Sequence, residues 1–178
     1  MQSIGFYGFA SWIPTLLISQ GITITRSLEY TFIIAIVGPI GPLMVSSIAD
    51  GIERKWQLAA STIGLGFFGL LFSQQTTATG IIVLGVLIQL CNACLSYSFH
   101  AYQAELYPTR IRSRAIGFVY SWSRFSTIFV GFMIAFCLRN YGTIGVFVFT
   151  ASAMVVVATV VSVMGPRTTG LRLEAISR

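Results

Sequence analysis

Residues 104–125 read A-E-L-Y-P-T-R-I-R-S-R-A-I-G-F-V-Y-S-W-S-R-F. They join two long apolar runs through a compact basic hinge, Arg110, Arg112 and Arg114, and then carry Arg124 into the second run. At 1.5 Å rise per residue, Arg124 lies about 15 Å beyond Arg114, near the middle of a hydrocarbon layer about 30 Å thick. A charge at that depth costs roughly 2.5–3.5 kcal/mol on insertion scales, so such residues face a cavity or a partner rather than lipid. The fold follows from the runs on either side of the hinge, and the function turns on that arginine.

Composition supports the same class. With 55% hydrophobic and only 9% charged residues among 178, and a mean hydropathy of +0.82, the chain has too few charges to cover a soluble globule; it is an all-α membrane protein. The net charge of +6 does not point to nucleic acid, because the basic residues lie in short gaps between apolar runs instead of on one solvated face. Cys91, Cys94 and Cys137 all fall inside apolar runs, so neither a disulfide framework nor a metal pair at Cys91-x-x-Cys94 is expected, and small-residue packing is the reading adopted. No nucleophile, base and orienting group fall at a recognised spacing, so no enzyme activity, cofactor or metal is expected.

Six stretches are long enough to cross a bilayer, about 3–20, 31–49, 57–73, 80–104, 115–138 and 143–164, forming one domain over 1–164 followed by a polar tail, 165–178. The second, fourth and final gaps hold eight of the eleven lysines and arginines, against two in the first, third and fifth. Short basic loops stay inside, so both termini are expected in the cytoplasm and the protein in the cell membrane.

The first segment has Pro14 in its interior, where the missing N–H disturbs a helix, and Trp12, read either as a membrane-interface anchor or as part of a pore wall. The second carries Gly38-Pro39 and Gly41-Pro42 and runs into Asp50, Arg54 and Lys55. On the fourth, Gln89, Asn92, Ser96, His100 and Gln103 share one helical face. Gln89 and Asn92 read equally as pore lining or as interhelical hydrogen bonds, and His100 as a proton-coupling group or a wet structural residue near the cytoplasmic end. On the fifth, Gly117, Tyr120, Arg124, Thr127 and Gly131 share a face. Arg124 is read there as the contact for an anionic substrate, or as a structural bond to a neighbouring helix.

Four motifs in order resemble the C-terminal six-helix half of a major facilitator superfamily transporter, near the metabolite:proton symporters and the organic-ion and aromatic-acid carriers. They are W-I-P-T-L-L (12–17); Asp50 with Arg54 and Lys55; Glu105-Leu106-Tyr107-Pro108-Thr109 followed by Arg110 and Arg112; and Arg124 itself. Gly51 and Glu53 depart from the loop motif, as Arg114 and Ala115 depart from the small pair before Gly117. The resemblance implies proton-coupled transport of a small organic acid by alternating access. The candidate substrate contacts are Arg124, Tyr120, Gln89, Asn92 and Trp12, the amides Gln89 and Asn92 being those a sugar would use, and the cytoplasmic gate candidates are Asp50, Arg54, Lys55, Glu105, Arg110 and Arg112, of which the resemblance places Glu105 and Arg112 in the gate. The resemblance also implies a site shared with a second six-helix half, expected from a longer protein of which this chain is a piece, or else from a second copy. A sugar or polyol porter, and a half-length membrane partner protein that does not transport, are the alternatives.

Overall fold

The computed structural model describes residues 12–19, 21–49, 53–75, 77–107 and 111–164, and they are helical apart from short connections. Five elements follow one another: α1 (Ile13–Ser19), α2 (Ile24–Ala49), α3 (Arg54–Ser73), α4 (Ala78–Leu106) and α5 (Arg112–Met164). Among the described residues, Arg54–Ser73, Ala78–Gln103 and Arg112–Val163 are long and apolar enough to cross a membrane. At 53 residues, α5 is more than twice the length needed for one crossing of about 20 residues. It breaks at Gly142, whose φ of 67° and ψ of −165° are not helical. Gly142 divides α5 into two arms, residues 112–141 and 143–164.

Gly142 occupies a backbone region that is essentially confined to glycine, because a Cβ clashes there. Gly142→Ala should therefore cost about 1–3 kcal/mol and lower the thermal unfolding midpoint in detergent. Gly131→Ala, on the same helix with nothing within 4 Å of the added carbon, serves as the comparison; an equal effect from both substitutions would refute the strain argument.

The second helix differs from its expected limits. It begins at Ile24 rather than residue 31, because the helix runs on past the apolar stretch into a solvated turn in which Arg26 and Glu29 are exposed. Ser27 anchors that turn: it is fully buried, its N–H bonds the Thr23 carbonyl at 2.9 Å, and its hydroxyl donates to the Pro14 carbonyl of α1 at 3.0 Å. Pro39 and Pro42 lie inside α2 without ending it. Glycines beside them let α2 press against α4, since a Cβ on Gly41 would lie 2.7 Å from Ala93 Cβ. Gly85 of α4 makes room for Ile34 of α2 in the same way.

Helix α3 lies between α4 and the second arm of α5. Its buried face includes Leu58, Thr62, Leu65, Gly69 and Phe72, at alternating spacings of four and three. Gly64 meets Cys91 of α4, Gly66 meets Ala151 and Gly69 meets Phe147, and the Phe72 and Phe147 rings pack 5.6 Å apart. Small residues thus bring helices close where lipid offers no hydrophobic drive for association, and Cys91 takes part as a small packing residue.

The chain's two ends of charge separate in space. Arg54 lies over Tyr97 at 5.6 Å, and the Ser98 hydroxyl donates to Gln57 Oε1 at 2.9 Å. These contacts put the basic start of α3 beside the last third of α4. At the far end a cleft is lined by Gly21, Ile22, Thr23, Arg26, Tyr30, Ala78 and Ile81.

A candidate anion site on the fifth helix

The first arm of α5 has three unlike faces. Val130 and Ile134 are buried in the core. A second face is exposed and aromatic, with Phe118, Trp122, Phe125, Phe129, Phe132 and Phe136, and Trp122, Phe125 and Phe129 stack in succession at 5.8 and 5.4 Å. Between them runs the narrow face of Gly117, Tyr120, Arg124, Thr127 and Gly131. A Cβ on Gly117 or Gly131 would meet nothing within 4 Å, whereas Gly64, Gly66 and Gly69 each face a neighbour. The described residues therefore leave open the helix surface on both sides of Arg124.

On that surface the Arg124 guanidinium carbon lies 5.3 Å from the centre of the Tyr120 ring, the spacing of one helical turn. Tyr120 in turn meets His100 of α4, ring centres 6.0 Å apart. Helices α4 and α5 touch little elsewhere, so this ring pair is a main link between them. His100 is exposed, and its Nδ1 is 2.7 Å from the Ser96 carbonyl. A carbonyl only accepts, so Nδ1 carries the proton and Nε2 is the open nitrogen. The nearby hydroxyls do not add to the face: Ser121 donates to the Gly117 carbonyl at 2.9 Å and Thr127 to that of Ser123 at 3.0 Å.

Three expected residues thus converge, Arg124, Tyr120 and His100, while the others lie apart. Asn92 is 2% exposed, and its Oδ1, like Gln103 Oε1, is buried without a hydrogen-bond partner among the described residues. Gln89 is half-buried, its Nε2 3.4 Å from the place a Cβ on Gly38 would occupy. Trp12 packs against the apolar core.

Of the residues expected at a cytoplasmic gate, Arg54 lies on Tyr97, Lys55 stands over the Trp56 ring at 5.4 Å, and Arg112 donates from Nε to the Tyr107 carbonyl at 3.2 Å. Asp50 and Arg110 lie outside the described residues, as does the side chain of Glu105. Sequence reasoning missed Tyr97, which meets Arg54 across 43 positions, and the Gln57–Ser98 bond; no local pattern signals either pairing.

The sequence profile of the family described as "Sugar (and other) transporter" matches residues 13–178. A putative metabolite transport protein of Bacillus subtilis, YyaJ, is 35% identical over 94% of this chain and 37% of its own length. The inner membrane metabolite transport protein YdjE of Escherichia coli is 31% identical, over 99% of this chain and 39% of its own length. The niacin transporter NiaP of Acinetobacter baylyi is 27% identical, over 96% and 39% respectively. The chain thus spans about two fifths of the length of these relatives. Its apolar helices, its motif order and a profile match over nearly all its residues agree: the chain belongs to the sugar (and other) transporter family of the major facilitator superfamily.

Proposed function

We propose that this chain is the C-terminal six-helix half of a secondary carrier for a small organic acid. The observation that carries this reading is the open polar face on α5, where Arg124 rests on Tyr120 at 5.3 Å with open space at Gly117 and Gly131. An intramembrane guanidinium is costly unless it meets an anion or lines a polar path. It is also the side chain best shaped to hold a carboxylate by two parallel hydrogen bonds. The relatives' names, which speak of metabolites and niacin, favour such a cargo, and niacin carries a carboxylate on an aromatic ring.

In this reading the substrate sits between the two halves near the midplane, with proton coupling and alternating access. The carrier lies in the cell membrane with the basic ends of α3 and α5 inside. Arg54, Lys55 and Arg112, with Asp50, Glu105 and Arg110, form the inner gate, where charge-assisted bonds close one state and break in the other.

A sugar or polyol cargo would use Gln89 and Asn92, and the orphaned Asn92 Oδ1 is the observation in its favour. Asn92 is nevertheless buried within this half, whereas Arg124 is exposed at its surface. Uptake of nicotinate by the carrier and its Arg124→Gln variant tests the choice. Unchanged uptake in the variant, or competition by a neutral hexose and not by carboxylates, would overturn the anion reading. Loss of uptake on collapse of the proton gradient is expected; uptake indifferent to that gradient would remove proton coupling.

A further inference from the structure

The cleft at the far end has a wall shaped by local turn chemistry. Gly21 takes a φ of 87°. Its N–H bonds the Ile18 carbonyl at 2.9 Å, and that of Ile22 bonds the Leu17 carbonyl at 3.2 Å, the paired bonds of a Schellman motif that closes α1. Beyond the turn, the Thr23 carbonyl takes the first bond of α2, from the Ser27 N–H, and the buried Ser27 hydroxyl ties α2 back to Pro14. Two helices and their turn thus form one wall, and the start of α4, through Ala78 and Ile81, forms the other. The space between them is about 400 Å³, within the range of about 300–1,000 Å³ usual for small-molecule sites.

Thr23, Arg26 and Tyr30, spaced by three and four, put one face of the start of α2 on this space. Among the described residues, neither the Arg26 guanidinium nor the Thr23 and Tyr30 hydroxyls enter a hydrogen bond or an ion pair. The hydroxyls beside them are engaged, Ser27 at the Pro14 carbonyl and Thr31 at the Ser27 carbonyl at 2.8 Å. Glu29 is exposed and does not line the cleft. Ile22 and Ile81 add apolar surface beside the Tyr30 ring. A cation and uncommitted donors set among apolar side chains suit a small aromatic anion.

Resting on the organic-acid reading above, we infer that this cleft is a second site for the carboxylate cargo, separate from Arg124. Arg26 holds the carboxylate, Thr23 and Tyr30 supply further donors, and Ile22 and Ile81 receive the ring. The site lies where the apolar runs of α2 and α4 begin, near residues 31 and 80, so water reaches it. In the orientation proposed above, this is the outer end, where arriving cargo meets the charge of Arg26 before it enters the membrane. Such a charge raises the local concentration of an anion at the mouth of a pathway. Because Arg26 is exposed, that attraction weakens as salt is added.

The test counts radiolabelled nicotinate bound at saturation to the purified full-length carrier in nanodiscs of zwitterionic lipid. The parent should bind two molecules, Arg26→Gln and Arg124→Gln one each, and the double variant none. The molecule left in Arg124→Gln should bind severalfold more weakly when ionic strength rises from about 0.01 M to about 0.15 M. Arg26→Ala is measured beside Arg26→Gln, so that a folding failure of one leaves the other to decide. Nicotinate binding that neither Arg26 variant diminishes overturns the inference. Binding lost on replacing Arg26 and kept on replacing Arg124 instead leaves the cleft in place and overturns the anion reading at α5. Nanodiscs containing anionic lipid complete the comparison: an Arg26-dependent preference for that lipid, with no Arg26-dependent nicotinate, assigns the cleft to a headgroup phosphate and overturns the inference as well.

Discussion

Replacing Arg124 by Gln should lower the efficiency of nicotinate uptake by roughly 10- to 100-fold, with the carrier still present in the membrane. The magnitude follows from the bond lost. A hydrogen bond to a charged group contributes about 1.5–3 kcal/mol, and each 1.4 kcal/mol is about tenfold. Glutamine retains an amide donor and most of the length, so the change removes charge and fork without opening a hole. Arg124→Lys keeps the charge but loses the planar pair of donors, and should fall between the two. The comparison also separates binding from architecture. A guanidinium that merely tied α5 to a neighbour would, on replacement, lower thermal stability and every transported compound alike. A charge partner for the cargo would lower the uptake of carboxylates and leave thermal stability unchanged. Uptake of nicotinate at parental rate and apparent affinity in Arg124→Gln would end the proposal.

The second large effect lies far from that site, in the seam between α2 and α4. A Cβ on Gly85 would run into the side chain of Ile34, which is itself 1% exposed and has nowhere to retreat. Gly85→Val should therefore destabilise by about 3 kcal/mol, near the upper end of the usual range for overpacking. The gain in helix propensity on losing a glycine, at most about 1 kcal/mol, does not offset it. Trimming the other partner should restore much of the loss, so Gly85→Val combined with Ile34→Ala should unfold closer to the parent than Gly85→Val alone. The measurement is the thermal midpoint of the purified carrier in one detergent for the two single variants and the double. Strict additivity of the singles would show that the two side chains do not compete for one space.

Much of this was legible in the chain. The scarcity of charge among long apolar runs was enough for the membrane class, and the 3.6-residue period was enough to put Tyr120, Arg124 and Thr127 on one face. Arg124 identified itself, because a guanidinium in an apolar run has a cost that needs a reason. The limits of α2 were less legible. Hydropathy reports where a helix leaves lipid, whereas Ser27 bonding to Pro14 and a solvated turn at Arg26 and Glu29 decide where its backbone begins to coil. Periodicity puts Gln89 to Gln103 on one polar stripe of the fourth predicted helix. Its members nevertheless have unlike surroundings, Asn92 and Gln103 buried and His100 exposed, since neighbouring helices cover the stripe unevenly along its length.

The pairings came only from the tertiary structure: His100 with Tyr120 across 20 positions, Arg54 with Tyr97 across 43 and Ile34 with Gly85 across 51. Periodicity tells which residues share a face of one helix, and composition tells that the helix lies in a membrane. Neither contains the rotation and depth at which two helices meet, because those are set by the close packing of small and large side chains over whole faces at once. By itself the sequence determined that this protein is a bundle of membrane helices with a basic end and one deep arginine. Packing decided that the arginine shares an aromatic ring with the chain's only histidine, and that the described residues leave open space at Gly117 and Gly131 on the same face.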